Sequence, residues 1–139
     1  MKLKKILYLC LSLLIFHSSL LIATVRYVSK TGSSTPPYTS WATAADSIQK
    51  CINICVDGDT IYVANGIYKE NLVINTTISL IGSSMDSTVI DGTGLLDRTI
   101  NLNTNAYLQN FKILGRGKVY GNSIAIFGQG NFTETSFCN

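Results

Sequence analysis

The chain has 139 residues, 46% hydrophobic and 14% charged, with a formal charge of +3 at pH 7. That length suits one domain and excludes a multidomain enzyme, and the apolar share is enough to offset chain entropy, which excludes intrinsic disorder. The surplus positive charge invites a nucleic-acid reading, and its distribution along the chain excludes it.

Residues 1–23 read MKLKKILYLCLSLLIFHSSLLIA. Lys2, Lys4 and Lys5 form a basic leader, an apolar run follows from Ile6 to Phe16, and His17, Ser18 and Ser19 break it before Ala23. This is the layout of a signal peptide for secretion, expected to be cleaved after Ala23. Cleavage after Ser19 is the alternative, and a retained anchor running from Ile6 to Val25 is a third reading by length. Once the signal peptide is cleaved, no membrane span is expected.

Removal of this segment takes the three lysines with it. Lys and Arg then equal the 8 Asp and Glu, and only Lys112, Arg116 and Lys118 cluster. No basic footprint for nucleic acid remains. The sole histidine, His17, also leaves. A Ser-His-Asp or Cys-His mechanism and a His-ligated zinc site are therefore excluded. Cys51, Cys55 and Cys138 remain, an odd number that points to a free thiol or an absent partner. Cys51 and Cys55, four apart on one expected helix face, read as two small buried apolar residues rather than a disulfide.

Three zones follow. In residues 24–40, TVRYVSK reads as a short strand and GSSTPPYTS as a loop. Residues 41–56 carry the one helical pattern: Trp41, Ala44, Ala45, Ile48, Ile52 and Cys55 form an apolar stripe, with Ser40 at the start. Asp46, Gln49, Lys50 and Asn53 form its wet face, so an amphipathic helix over 41–56 is expected. Residues 57–139 hold short β-branched runs: TIYVA from Thr60, NLVI from Asn71, ISLIG from Ile78, TVIDG from Thr88, TINL from Thr99, YLQNFKILG from Tyr107 and SIAIFG from Ser123. Gly or Asn closes nearly every run. Such strands fit either a sandwich or a solenoid of parallel strands. Asn65-Gly66 is a hairpin signal, whereas the short Gly-closed runs and recurrent Asn residues suit coils with Asn ladders at the corners.

The stretch Gly58–Gly94 resembles the opening of right-handed parallel β-helix proteins of the pectin-lyase-like superfamily, pectinesterases above all. The residues that carry this resemblance are Gly66, Tyr68 and Glu70 in a G-x-Y-x-E turn, then Ile78, Leu80, Ile81 and Gly82, then Asp86 to Gly92. Tyr107 to Gly117 resembles the following coil. The resemblance implies an all-β fold, a right-handed parallel β-helix with an N-terminal amphipathic capping helix over 41–56. Such a helix would cover the otherwise open first coil. About three coils fit in the chain, near the minimum for a stacked repeat. With no closing repeat after GNFTETSFCN, an incomplete N-terminal segment is expected, aggregating through its last strand edge.

The pectinesterase motifs of the kind Q-A-V-A and D-F-I-F-G are absent, and Gln109 and Gln129 lie in other surroundings. The acidic residues Asp46, Asp57, Asp59, Glu70, Asp86, Asp91, Asp97 and Glu134 do not group as Ca²⁺ binding requires. Asp57, Asp59 and Asp91 read as turn residues, Asp97-Arg98 as a surface pair and Glu70 as a local turn acceptor. No catalytic, cofactor-binding or metal-binding residue is assigned, and no cofactor is expected. Arg116 and Lys118 are candidates to line a groove for an acidic sugar. Tyr62, Tyr68, Tyr107 and Tyr120 are candidates to stack on sugar rings. Asn75-Thr76-Thr77 and Asn131-Phe132-Thr133 match glycosylation acceptors, relevant only in a eukaryotic secretory route. The expected function is a secreted or cell-surface scaffold that binds polysaccharide. The alternative is the N-terminal part of a polysaccharide-active esterase or lyase.

Overall fold

The computed structural model describes residues 22–95 and 98–115, together with the backbone of three further strands, Ile126–Phe127, Gly130–Thr133 and Ser136–Cys138. Most of the expected signal segment, like Asp97, Arg116, Lys118, Tyr120 and Glu134, lies outside the described residues.

The protein is all-β. Its strands are β1 (Val25–Val28), β2 (Thr60–Val63), β3 (Gly66–Tyr68), β4 (Leu72–Ile74), β5 (Ser79–Gly82), β6 (Thr88–Asp91), β7 (Ile100–Leu102), β8 (Ala106–Gln109), β9 (Lys112–Leu114), β10 (Ile126–Phe127), β11 (Gly130–Thr133) and β12 (Ser136–Cys138). They form three parallel sheets with the orders β1-β2-β5-β8-β11, β3-β6-β9-β12 and β4-β7-β10. From β2 onward each strand pairs with the strand three later in the chain. Consecutive strands from β2 onward therefore lie in different sheets, and Asn65-Gly66 turns the chain from one sheet into the next instead of closing a hairpin.

Alternation of side chains sets what faces inward. In the first sheet Ile61, Leu80 and Leu108 stand in register, all fully buried. Tyr68, Ile90 and Ile113 do the same in the second sheet, and Leu72 with Ile100 in the third. Apolar side chains thus stack on one another along the core, each aliphatic one contributing about 1.5–3 kcal/mol through burial. At one corner Asn103 Nδ2 donates to Asn75 Oδ1 (2.7 Å), a ladder of the kind expected, with Thr77 and Thr104 hydroxyls 3.2 Å apart beside it.

Two strand readings are revised. YLQNFKILG breaks into β8 and β9, because Asn110 takes a positive φ of 60° and turns the chain. Asn tolerates that left-handed conformation better than most residues. The G-x-Y-x-E stretch, a turn by the resemblance, supplies β3 with its first three residues.

The helix expected over 41–56 does not form at that length. One turn, α1 (Ile48–Ile52), is helical, capped by Ser47, whose Oγ accepts from Lys50 N (3.3 Å). The physical reason is pairing. Ala45 bridges Val28 in parallel, its N–H donating to Tyr27 O (3.0 Å) and its carbonyl accepting from Ser29 N (2.8 Å). Ala44 packs under Gly32 so closely that a Cβ there would strike the Ala44 carbonyl. These contacts hold residues 44–45 extended, overriding the helical periodicity. The segment still covers a sheet edge: Tyr38, Ala45 and their carbonyls occupy the side of β1 that faces away from β2.

Candidate functional site

The outward faces of β1 and β2 carry an aromatic strip. In VRYV, Arg26 and Val28 point inward, so Tyr27 points out, and the register sets it opposite Tyr62. Their rings stack, 6.0 Å between centroids with 26° between planes. Trp41 completes the strip at 4.6 Å from Tyr27, tilted by 56°. A short turn presents this indole: Ser40 Oγ accepts from Thr43 N (3.2 Å), and Ala44 N donates to Trp41 O (3.4 Å). Trp41 is 47% exposed and Tyr62 39% exposed, while Tyr27 lies half-buried between them. In the same sheet the column continues from Tyr62 to Ile81 and Gln109, and Tyr107 OH donates to Gln109 Oε1 (3.1 Å). Such a surface offers flat apolar faces with indole N–H and phenol O–H groups at their rims. That combination suits a sugar ring, whose C–H face is apolar and whose edge is hydroxylated.

Of the expected stacking residues, Tyr62 and Tyr107 lie on this sheet. Tyr68 does not: it is fully buried, with its OH donating to Ala64 O (2.9 Å) and Lys30 Nζ over its ring at 4.5 Å. Burial, with Glu70 adding, pushes its phenol up to about 12. The reason is parity, since Tyr68 occupies the inward position of β3 beside Ile90. Tyr27 and Trp41 were not among the expected stacking residues. The alternation of Arg26 and Val28 could have identified Tyr27, whereas Trp41 sat in the apparent helical stripe.

Most of the described carboxylates are spread out and engaged, Asp86 being exposed. Asp59, expected at a turn surface, is fully buried: Oδ1 accepts from Thr24 N (2.6 Å), and Oδ2 from Arg26 Nε (3.0 Å) and Val56 N (3.1 Å). Burial alone would raise its pKa. The hydrogen bonds from Thr24, Val56 and Arg26 outweigh that and hold it below the ordinary aspartate value. Glu70 reaches further than its own turn, accepting from Ser47 Oγ (2.7 Å), Ile48 N (2.9 Å) and Gln49 N (3.0 Å) at the start of α1. Asp57 accepts from Thr77 N (2.8 Å), and Asp91 accepts from Thr93 N and Oγ1 at its corner. Asp46 pairs on the surface with Lys50 (2.8 Å).

Cys51 is buried and Cys55 half-buried, both free thiols, with Cys55 Sγ donating to Cys51 O (3.2 Å). Its hydrogen bond with Cys55, together with burial, pushes the Cys51 thiol up, so it stays protonated. Among the described residues no three His, Cys, Asp or Glu side chains gather as a metal-binding group. None of the described helices is long and apolar enough to cross a membrane. No protein-family model matches the chain, and no curated protein matches it.

Proposed function

We propose that this chain is a secreted or cell-surface module, a right-handed parallel β-helix that binds glycans on the strip Tyr27–Trp41–Tyr62. The observation that carries the binding is the strip itself: three clustered aromatic side chains, Tyr27 and Tyr62 on a sheet face and Trp41 on a turn beside it, two of them well exposed. Leaving such area in water has no structural return, and it is what a sugar ring would cover. Support for the coil comes from the pairing of each strand with the one three later, so that β2–β4 and β5–β7 each trace one turn. The segment 29–52, with α1 in it, would close the first turn. Support for export comes from the leader-like residues 1–23. The likeness of Gly58–Gly94 to pectinesterase openings makes acidic polysaccharide the first class to test. An N-terminal piece of an esterase or lyase finds less support, since Asp57, Asp59, Glu70 and Asp91 are each engaged in holding the backbone or Arg26.

Trp41 is the sole tryptophan, so its fluorescence reports occupancy directly. Titration with polygalacturonate, methylated pectin and a neutral xylan should give a saturable change with at least one polymer. Tyr62→Ala should weaken that binding by about tenfold, roughly the weight of one aromatic contact. No saturable change with any of the three, or full affinity in Tyr62→Ala, overturns the reading.

A further inference from the structure

Asp59 is placed where the exported chain would begin. Its Oδ1 is 2.6 Å from the backbone nitrogen of Thr24, the residue after the expected cleavage point. Thr24 is also held independently of what precedes it, because its carbonyl accepts from Thr60 N (3.0 Å) at the foot of the β1–β2 ladder. Ahead of it Ala23 is exposed and Ile22 is 74% exposed. The bond between Ala23 and Thr24 therefore joins two exposed residues to one held by the fold.

We propose that the Asp59 carboxylate is the receptor for the α-ammonium group released when the exported chain is cut between Ala23 and Thr24. The proposal rests on the export reading and adds a role for Asp59. The co-reactants are water and a leader-removing protease. The Ala23–Thr24 C–N bond breaks, the water oxygen forms a bond to the Ala23 carbonyl carbon, and Ala23 leaves as a carboxylate. Thr24 nitrogen keeps its hydrogen, gains one from the water and, at neutral pH, a further proton. A neutral amide donor thus becomes a cation at the same atom, against a buried anion, and charge-assisted hydrogen bonds are the stronger kind.

Asp59 then faces two cations, Arg26 from β1 and the Thr24 ammonium, in place of one. Cys51 of α1 and Cys55 after it, both free thiols, lie within electrostatic reach of Asp59 and Arg26, while Asp57 accepts from Thr77 N. Arg26 opposes the ammonium and Asp59 favours it. The carboxylate is in direct hydrogen-bond contact, so the α-amino pKa is raised above its ordinary value of about 7.7–8.0. A raised folded value stabilises the exported form fully below the unfolded value, and that stability is lost as pH rises through the folded one.

The test is to express the full chain in a secreting host, sequence the N-terminus of the exported product, and measure α-amino acylation against pH. Acylation is followed by peptide mass spectrometry, folded and in urea, with the lysines as internal controls. The expected product starts at Thr24, and its α-amino group titrates at least one unit higher when folded, acylating about tenfold more slowly near pH 6.5, below both values, and about fivefold more slowly near pH 8. Asp59→Asn should remove the difference. The comparison of folded with urea-unfolded protein needs no substitution, so an unfolded Asp59→Asn product does not blunt it. An exported product that starts at Leu20, or an α-amino group that titrates alike in both states, overturns the proposal and leaves export standing. Retention of residues 1–23 overturns both.

Discussion

Arg26 stands at an inward position, in register with three aliphatic side chains, Ile61, Leu80 and Leu108. A buried guanidinium there is tolerable because its donors are used, Nε on Asp59 (3.0 Å) and Nη1 on Pro37 O (2.8 Å). Breaking such a pair leaves an unpaired buried charge, so Arg26→Met should destabilise by about 3–5 kcal/mol in urea unfolding. The double variant Arg26→Met with Asp59→Asn should recover part of that loss. Asp59 also sets an acid limit. Its folded pKa is depressed, so its contribution is complete above the ordinary value near 3.8 and disappears as pH falls below it. Urea midpoints measured through the acid range should fall in wild type, with a smaller fall in the double variant. The inward place of Arg26 is legible in the period-2 pattern of VRYV. Its partner is not, because Asp57-Gly58-Asp59 reads as a turn wherever it occurs, and only burial under β1 separates Asp59 from Asp57.

At the scale of elements, the short helix α1 survives by borrowed groups. Glu70, eighteen residues beyond Ile52 in sequence, satisfies the amides of Ile48 and Gln49 that a helix start leaves open. In return Gln49 satisfies strand β4: Val73 N donates to Gln49 Oε1 (2.8 Å), and Gln49 Nε2 donates to Val73 O (3.1 Å). Since β4 pairs on its other side with β7, the Gln49 amide stands in for a missing strand and blunts an open edge. Gln49→Ala should therefore cost about 1–2 kcal/mol and raise self-association, read by light scattering against concentration. Glu70→Gln keeps the shape but loses charge-assisted acceptance, and should cost a similar amount by thermal unfolding. Strand existence was legible, since all seven runs from Thr60 onward contain strands close to where they were read, while β11 and β12 fall in GNFTETSFCN, where none was read. The helical stripe from Trp41 to Cys55 was legible too, but misleading. Ala44 and Ala45 are small enough for either a helix interior or a tight strand bridge, and the unpaired side of β1 decided between them.

For the whole molecule, cohesion runs along the stacked columns, with each middle strand hydrogen-bonded on both sides. Local opening should start where pairing is one-sided. Hydrogen exchange is expected to find the amides of Leu80 and Ile81 in β5 more protected than those of Ile67 and Tyr68 in β3, an edge strand with Ile67 well exposed. Leu80→Ala removes the middle of the Ile61–Leu80–Leu108 column and should cost about 2–5 kcal/mol, chiefly as a cavity. The aromatic strip is also a product of this scale. Tyr27 and Tyr62 are far apart in the chain and meet because β1 and β2 pair in parallel at that register.

Local residue patterns set the class of the fold and its punctuation. Short β-branched runs closed by Gly or Asn specify strands and corners locally, and their alternation specifies which side chains turn inward. Tertiary structure alone decided partners. Parallel register stacked Tyr27 on Tyr62 and Asn75 on Asn103, put Asp59 beneath Arg26, and reduced a long apparent helix to one turn. Those outcomes depend on contacts between residues distant in the chain, where the free energy of pairing an open edge or satisfying a buried charge exceeds any local conformational preference.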